Sequence, residues 1–265
     1  LTDREDIPEM EVEVLSSLKE PSANRLTTFN SYALHEKEVY SWASTGRQLY
    51  EDYDYATGNT KNYTLSLPGI VPEDSVWLTT VFAARSIGAS TYYSVAVNGK
   101  VRGNATLASI SSDNQYYTRA TSASISTSWL GTESENTIVT VTHTRPSGTS
   151  GRLDYIALNY IRSLTLNAPY LTFRSLASIN KETTFVLSGA TASTVVWDVT
   201  DPANICRMEG SFVGGTYTFT IPAGKLREFV AITPEASGFD TVETVGNIAN
   251  QNLHSLGATD MIIIS

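Results

Sequence analysis

From residue 62 onward, apolar and polar residues alternate with a period of two in one short run after another: 62–67, 75–84, 91–97, 105–110, 115–120, 137–143 and 152–166. Successive side chains of a β-strand point to opposite faces, so this pattern describes strands with one face in a core and one in water. Short runs of this kind, with turn residues between them, predict an antiparallel sandwich of the jelly-roll type. The sharpest local signal is Tyr93-Ser-Val-Ala-Val-Asn98-Gly99-Lys-Val-Arg102. An Asn-Gly pair tolerates the positive φ that both central positions of a type I′ turn require, so a tight hairpin is expected there. The only helix-like stripe, a weak one, lies between residues 31 and 50.

Residue usage agrees with sheets that have one wet face. Ser and Thr together fill 64 of 265 positions, alongside 14 Tyr and 4 Trp. β-Branched and aromatic side chains suit strands, whereas Ser competes with helical hydrogen bonding. A formal charge of −9 and a pI near 4.8 argue against a nucleic-acid or anionic-membrane partner. No apolar run approaches the ~20 residues of a membrane-spanning helix. The single cysteine excludes an internal disulfide, a thiolate zinc cage and an iron–sulfur site.

Four regions are expected. Residues 1–23 carry seven acids against Arg4 and Lys19, which reads as a solvated acidic arm, although Glu11-Val-Glu-Val-Leu15 alternates and could be an edge strand. Residues 24–166 form the jelly-roll-like sandwich. After the break at Asn167-Ala-Pro169, runs at 170–173, 183–187, 194–199, 216–221 and 228–233 predict a small immunoglobulin-like β module over 167–240. Residues 241–265 read as a linker, with a turn or short helix at 247–256. Met261-Ile-Ile-Ile264 follows, apolar without alternation, as in a strand covered on both faces that begins an α/β domain. A start at Leu1 with no basic-then-apolar leader reads as a processed or recombinant piece.

Residue types able to do chemistry are present but scattered. Cys206 lies in the strand-rich second module without a histidine beside it in sequence, and reads as a buried structural thiol. His35, His143 and His254 share no spacing and read as surface or capping residues rather than metal ligands. There is no nucleophile elbow, phosphate loop or dinucleotide fingerprint. No catalytic residue and no cofactor is therefore assigned. Glu51-Asp52-Tyr-Asp54 is an acidic, turn-rich patch in which Asp52 and Asp54 are weak calcium candidates, since the EF-hand pattern breaks at Ala56 and Thr57. Tyr92-Tyr93 and Tyr116-Tyr117 each place one ring on either face of a strand, and the outward rings are candidates for stacking on a glycan.

Several stretches, in order, resemble the region before the catalytic domain of gingipain-type cysteine peptidases, specifically the sortases of the type IX secretion system in Bacteroidota. Leu34-His-Glu-Lys-Glu38 and Ser44-Thr-Gly-Arg-Gln-Leu-Tyr-Glu-Asp-Tyr53 are similar to that family's Ser-Gly-Arg-x-Trp-x-Gly-Glu-x-Phe stretch, with Leu49 in place of the Trp and Glu51 in place of the Gly. Val81-Phe-Ala-Ala-Arg-Ser86 with Val95-Ala-Val-Asn-Gly99 resembles the family's first sandwich, and Leu153-Asp-Tyr-Ile-Ala-Leu-Asn-Tyr160 its closing strand. Val196-Trp-Asp-Val-Thr-Asp-Pro202 resembles the second module. Val245-Gly-Asn-Ile-Ala-Asn-Gln-Asn-Leu-His254 with Asp260-Met-Ile-Ile-Ile264 resembles the lead into the peptidase domain. The resemblance implies a non-catalytic scaffold region whose Cys/His dyad lies beyond Ser265. It also implies export to the cell surface or outer membrane. The implied partners are the chain's own downstream peptidase domain, outer-membrane secretion components and secreted proteins bearing C-terminal sorting domains. The alternative from another class is an autonomous carbohydrate-binding jelly roll.

Overall fold

The computed structural model describes residues 12–42, 48–113, 119–131 and 134–239, together with 243 and 246. Among them there is no α-helix, only seventeen strands and one 3₁₀ turn at Leu176–Ser178. The fold is all-β, built as two sandwiches, each with its own core.

In the first sandwich one sheet runs β3 (Thr28–Glu36), β10 (Ser150–Ser163), β5 (Ser75–Arg85), β8 (Thr121–Leu130). The other runs β4 (Thr60–Ser66), β9 (Asn136–Thr144), β6 (Thr91–Val97), β7 (Lys100–Leu107). Every pairing in both sheets is antiparallel. The expected turn closes β6 onto β7 by pairing Val97 with Lys100, with φ of 48° at Asn98 and 80° at Gly99. Alternation works as read: Tyr93, Val95 and Val97 are buried while Tyr92 is exposed. The segment read as weakly helical is instead β3, a nine-residue strand paired along its length with β10. It carries apolar residues on both faces, which blurs a period of two. The run expected at 115–120 is not a strand at its described positions 119 and 120, the preceding residues 114–118 lying outside the described set. The strand of that region is β8, where Ala123, Ile125, Thr127 and Trp129 alternate with Ser122, Ser124, Ser126 and Ser128.

The second sandwich is completed by the beginning of the chain. Its five-stranded sheet runs β1 (Val14–Ser16), β14 (Cys206–Glu209), β13 (Val195–Asp198), β17 (Phe229–Ile232), β11 (Tyr170–Phe173). Its four-stranded sheet runs β15 (Ser211–Val213), β16 (Thr216–Ile221), β12 (Thr183–Ser188), β2 (Arg25–Leu26). Both N-terminal strands pair in parallel, β1 with β14 and β2 with β12. Leu15 and Leu26 pack against a core of Phe173, Phe185, Phe219 and Phe229 whose rings lie 5.1 to 6.4 Å apart. The expectation of a free arm over 1–23 is thus corrected at residues 14–16. They form a sheet edge, and the exposed Glu13 just before them is a charge of the kind that keeps an edge from pairing with another chain. Residues 1–11 lie outside the described set, as do the short helix and apolar strand expected within 247–264.

Candidate functional site

The first core carries a stack of three rings, Phe82, Tyr93 and His143. Phe82 and Tyr93 are 4.4 Å apart at 8°, and Tyr93 and His143 are 4.1 Å apart at 5°. The surface or capping role expected for His143 is therefore corrected: it is fully buried, because β9 alternates and His143 falls in the inward phase with Val139 and Val141. Neither ring nitrogen has a hydrogen-bond partner among the described residues. Burial, and next the charge of Arg145, push its pKa down to about 4, with Asp54 opposing. In an unfolded chain the imidazole titrates near 6.5, so protons bind the unfolded state more tightly. The stability from burying neutral His143 is present above about pH 6.5 and is lost as pH falls toward 4, amounting to about 3 kcal/mol. Urea midpoints between pH 7.5 and 4.5 should fall for the parent chain. They should stay flatter for His143→Phe, which keeps a ring in the stack; equal slopes would contradict the assignment.

Within the acidic patch the carboxylates of Glu51 and Asp54 are taken up by donors of the chain itself. Glu51 is fully buried and accepts from Lys61 Nζ at 2.6 Å and Tyr63 Oη at 2.7 Å, with His35 Nε2 at 3.4 Å and Lys37 Nζ at 3.9 Å. Burial raises its pKa, but the bonds from Lys61 and Tyr63 and the charges of Lys61 and His35 outweigh burial and hold it below the usual range. Asp54 accepts from Ser150 Oγ at 2.6 Å, from the Ala56 and Gly151 amides at 2.8 and 3.1 Å, and from Arg152 Nη2 at 3.4 Å. These bonds hold its carboxyl low against the opposing effect of burial. Asp52 is exposed, and its backbone carbonyl accepts from Arg152 Nη1. Each Asp54 oxygen already faces N–H or O–H donors, which compete with a cation, and no cluster of three candidate ligands occurs among the described residues. The patch anchors the chain from Tyr50 to Tyr55 onto β4 and β10.

The buried role expected for Cys206 is corrected: it is only partly buried, on β14 between β1 and β13, 3.8 Å from Glu13 Oε2 and 3.5 Å from the Asn204 carbonyl. Burial and the Glu13 carboxylate push its thiol pKa up, away from nucleophilic character. The thiol lies in the second sandwich, whereas His35 and His143 belong to the first; His254 lies outside the described residues. Among the described residues, then, no imidazole activates the thiol.

Of the four tyrosines expected as a stacking platform, Tyr93 is buried in the ring stack, Tyr92 is 41% exposed, and Tyr116 and Tyr117 lie outside the described residues. The face around Tyr92 is a hydroxyl surface, with Thr60 bonded to Thr142 at 3.0 Å and Thr140 to Asn62 at 2.8 Å. Tyr92 there has no second outward ring among the described neighbours on β4, β7 and β9.

The aromatic surface lies on the opposite sheet. Asn159 of β10 pairs with Tyr32 of β3 on one side and Trp77 of β5 on the other, so these three side chains stand in one row on the outer face. Tyr32 is 61% exposed and Trp77 39%. Beside them a cleft of about 420 Å³ is lined by Asn30, Arg174 and Leu176 as well as by Tyr32, Trp77 and Asn159. Its two walls are tied together: the Asn30 amide donates to the Arg174 carbonyl at 3.2 Å, and the Leu176 amide donates to Asn30 Oδ1 at 2.9 Å. Arg174 in turn pairs with Glu228 at 2.5 Å. The sequence signal for this site is an aromatic out of phase, since Trp77 sits between the buried Val76 and Leu78.

No family model matches the chain, and no curated protein does. Among solved structures, a tandem CBM22 domain from Paenibacillus barcinonensis Xyn10C aligns with 64% of this chain and 74% of its own at 10% identity, but with a TM-score of only 0.24. Dimeric latent PorU from Porphyromonas gingivalis aligns with a TM-score of 0.77 at 20% identity. The match covers 93% of this chain and 24% of the PorU chain, so almost the whole of the present double sandwich has the fold of about a quarter of PorU.

Proposed function

We propose that this chain is a non-catalytic β-sandwich region of a gingipain-like cysteine peptidase or sortase of the cell envelope, placed before the peptidase domain as a scaffold. The observation that carries the reading is the likeness in fold across 93% of the chain to a protein about four times its matched length. The chemistry of the described residues is consistent with it: the thiol of Cys206 faces the Glu13 carboxylate, which disfavours the thiolate, rather than an imidazole. In this reading the region is exported to the outer membrane or cell surface of a Bacteroidota bacterium. It packs against its own peptidase domain and stands near secretion components and the sorting domains of secreted proteins. No helix among the described residues is long and apolar enough to cross a membrane.

Sequencing the gene beyond the codon for Ser265 tests the reading. An α/β domain containing a His and a Cys in the gingipain order is expected, and a reading frame that stops at Ser265 overturns it. The 265-residue chain should leave casein and generic peptide substrates at background. Turnover that vanished in Cys206→Ala would show instead that the lone thiol is catalytic.

A further inference from the structure

A tryptophan and a tyrosine facing water in one row of a sheet forgo burial worth about 1.5 to 3 kcal/mol for a large apolar side chain, and such a patch on a folded protein marks an interaction surface. The neighbouring row adds Leu34, half-exposed and paired with Ala157. The chemistry of the patch narrows the ligand. Apolar groups do not run continuously across it, since Asn159 separates Tyr32 from Trp77 and Asn30 lies at the mouth of the cleft. That interruption does not suit the unbroken apolar stripe of a docking helix. The row lies on a sheet face, and β10 and β5 are paired on both sides, so an extended peptide finds no free main-chain groups at Asn159 or Trp77. A polyanion is disfavoured, because Glu228 neutralises Arg174 and the chain carries a charge of −9.

Two rings flanking an amide, with a guanidinium–carboxylate pair at the edge, instead match a molecule that is apolar on its faces and rich in hydroxyls at its rim. Tyr32 and Trp77 stand two strand spacings apart, about 9 to 10 Å between backbones. That is close to the advance of two sugar rings along an extended oligosaccharide. The exposed side-chain amide of Asn159 offers one donor pair and one acceptor between the rings. The bonds through Asn30 hold Arg174 and Leu176 against the row before any ligand arrives, which lowers the ordering cost of binding.

We propose that this cleft is a saccharide site for an extended neutral glycan. Tyr32 and Trp77 stack on alternate sugar rings, and Asn159 and the Arg174–Glu228 pair bind hydroxyl groups. The site is on the sheet opposite the one that bears Tyr92, and its existence does not depend on any peptidase domain.

The test is a panel of neutral β- and α-linked tetrasaccharides of glucose, mannose, xylose and N-acetylglucosamine, titrated into the 265-residue chain by calorimetry and by ¹H–¹⁵N chemical-shift mapping. At least one should bind, shifting amides of β3, β5 and β10 around Tyr32, Trp77 and Asn159. Trp77→Ala and Tyr32→Ala should each weaken it about ten-fold or more, as for a ring at the centre of a contact. Tyr92→Ala should leave affinity within about two-fold, and Asn159→Ala, a change at an exposed position, gives a second reading that does not threaten the fold. Urea midpoints confirm that each variant is folded. Absence of binding across the panel overturns the proposal. So does binding that ignores Trp77→Ala, Tyr32→Ala and Asn159→Ala alike. If the patch instead mediates concentration-dependent dimerisation that Trp77→Ala abolishes, with no sugar bound, it is an interface between copies and the saccharide assignment fails.

Discussion

Gly151→Val should lower the stability of the first sandwich by about 3 kcal/mol or more, a cost in the upper range for forcing atoms into a packed core. A Cβ at residue 151 would stand 2.4 Å from His143 Nδ1, 2.4 Å from Tyr93 Oη and 2.5 Å from His143 Cε1. Those atoms are not the loose ends of surface side chains. They belong to rings locked in the stack with Phe82, and Gly151 is itself buried at the start of β10, where its amide donates to Asp54. Relief would need the stack to slide or β10 to separate from Asp54. Chemical denaturation and near-ultraviolet circular dichroism read the effect directly. Gly224→Ala, at a position where an added Cβ meets nothing within 4 Å, is the control and should stay within about 0.5 kcal/mol of the parent. In a His143→Ala background the cost of Gly151→Ala should shrink, since the two positions share one space. An unchanged urea midpoint in Gly151→Val would show that the ring stack is not packed as described.

Glu51→Ala is the second change with a large expected effect, about 3 to 5 kcal/mol, the range for removing one partner from a buried charge pair. The loss goes beyond one ion pair. Lys61, His35 and Lys37 converge on the same carboxylate, and Tyr63 donates to its second oxygen while sharing a hydroxyl contact of 2.9 Å with Tyr55. Without the anion, Lys61 Nζ keeps, among the described residues, the rings of Tyr53 and Tyr63, 4.5 and 4.9 Å away. Glu51→Gln retains the shape and one acceptor and should cost less. The double variant Glu51→Leu, Lys61→Met should recover part of the loss, because two apolar residues leave no unpaired charge. If Glu51→Ala and the double variant are equally unstable, the carboxylate serves packing rather than charge balance. Because the segment from Tyr50 to Tyr55 lies against β4 and β10, proteolysis within that segment should also quicken in Glu51→Ala.

These two positions show how differently parts of the molecule could be read in advance. Alternation alone located most strands of both sandwiches, including 170–173 and 216–221 with their bounds, because one wet face and one dry face write a period of two. The Asn98-Gly99 turn was legible because so few residues accept positive φ. Where a strand carries apolar residues on both faces the signal disappears. β3 looked weakly helical because Tyr32 and Leu34 face outward while Phe29 and Ala33 face in, so the surface that makes the strand interesting is also what hid it.

By itself the sequence determined the all-β class, the two-sandwich order and the absence of a recognisable nucleophile motif, since composition and periodicity act locally and survive without knowledge of partners. Only the tertiary structure decided which distant residues meet. It brought Val14–Ser16 and Arg25–Leu26 back as edge strands beside partners about 190 and about 160 residues away, in parallel pairings that no local pattern encodes. It placed four donors and cations around Glu51, turned His143 inward against Tyr93, and set Tyr32 beside Trp77 across Asn159. The reason is one of dimension: a strand's register fixes which face a residue occupies, but the neighbours on that face come from other strands, and their order in the sheet is a property of the packed whole.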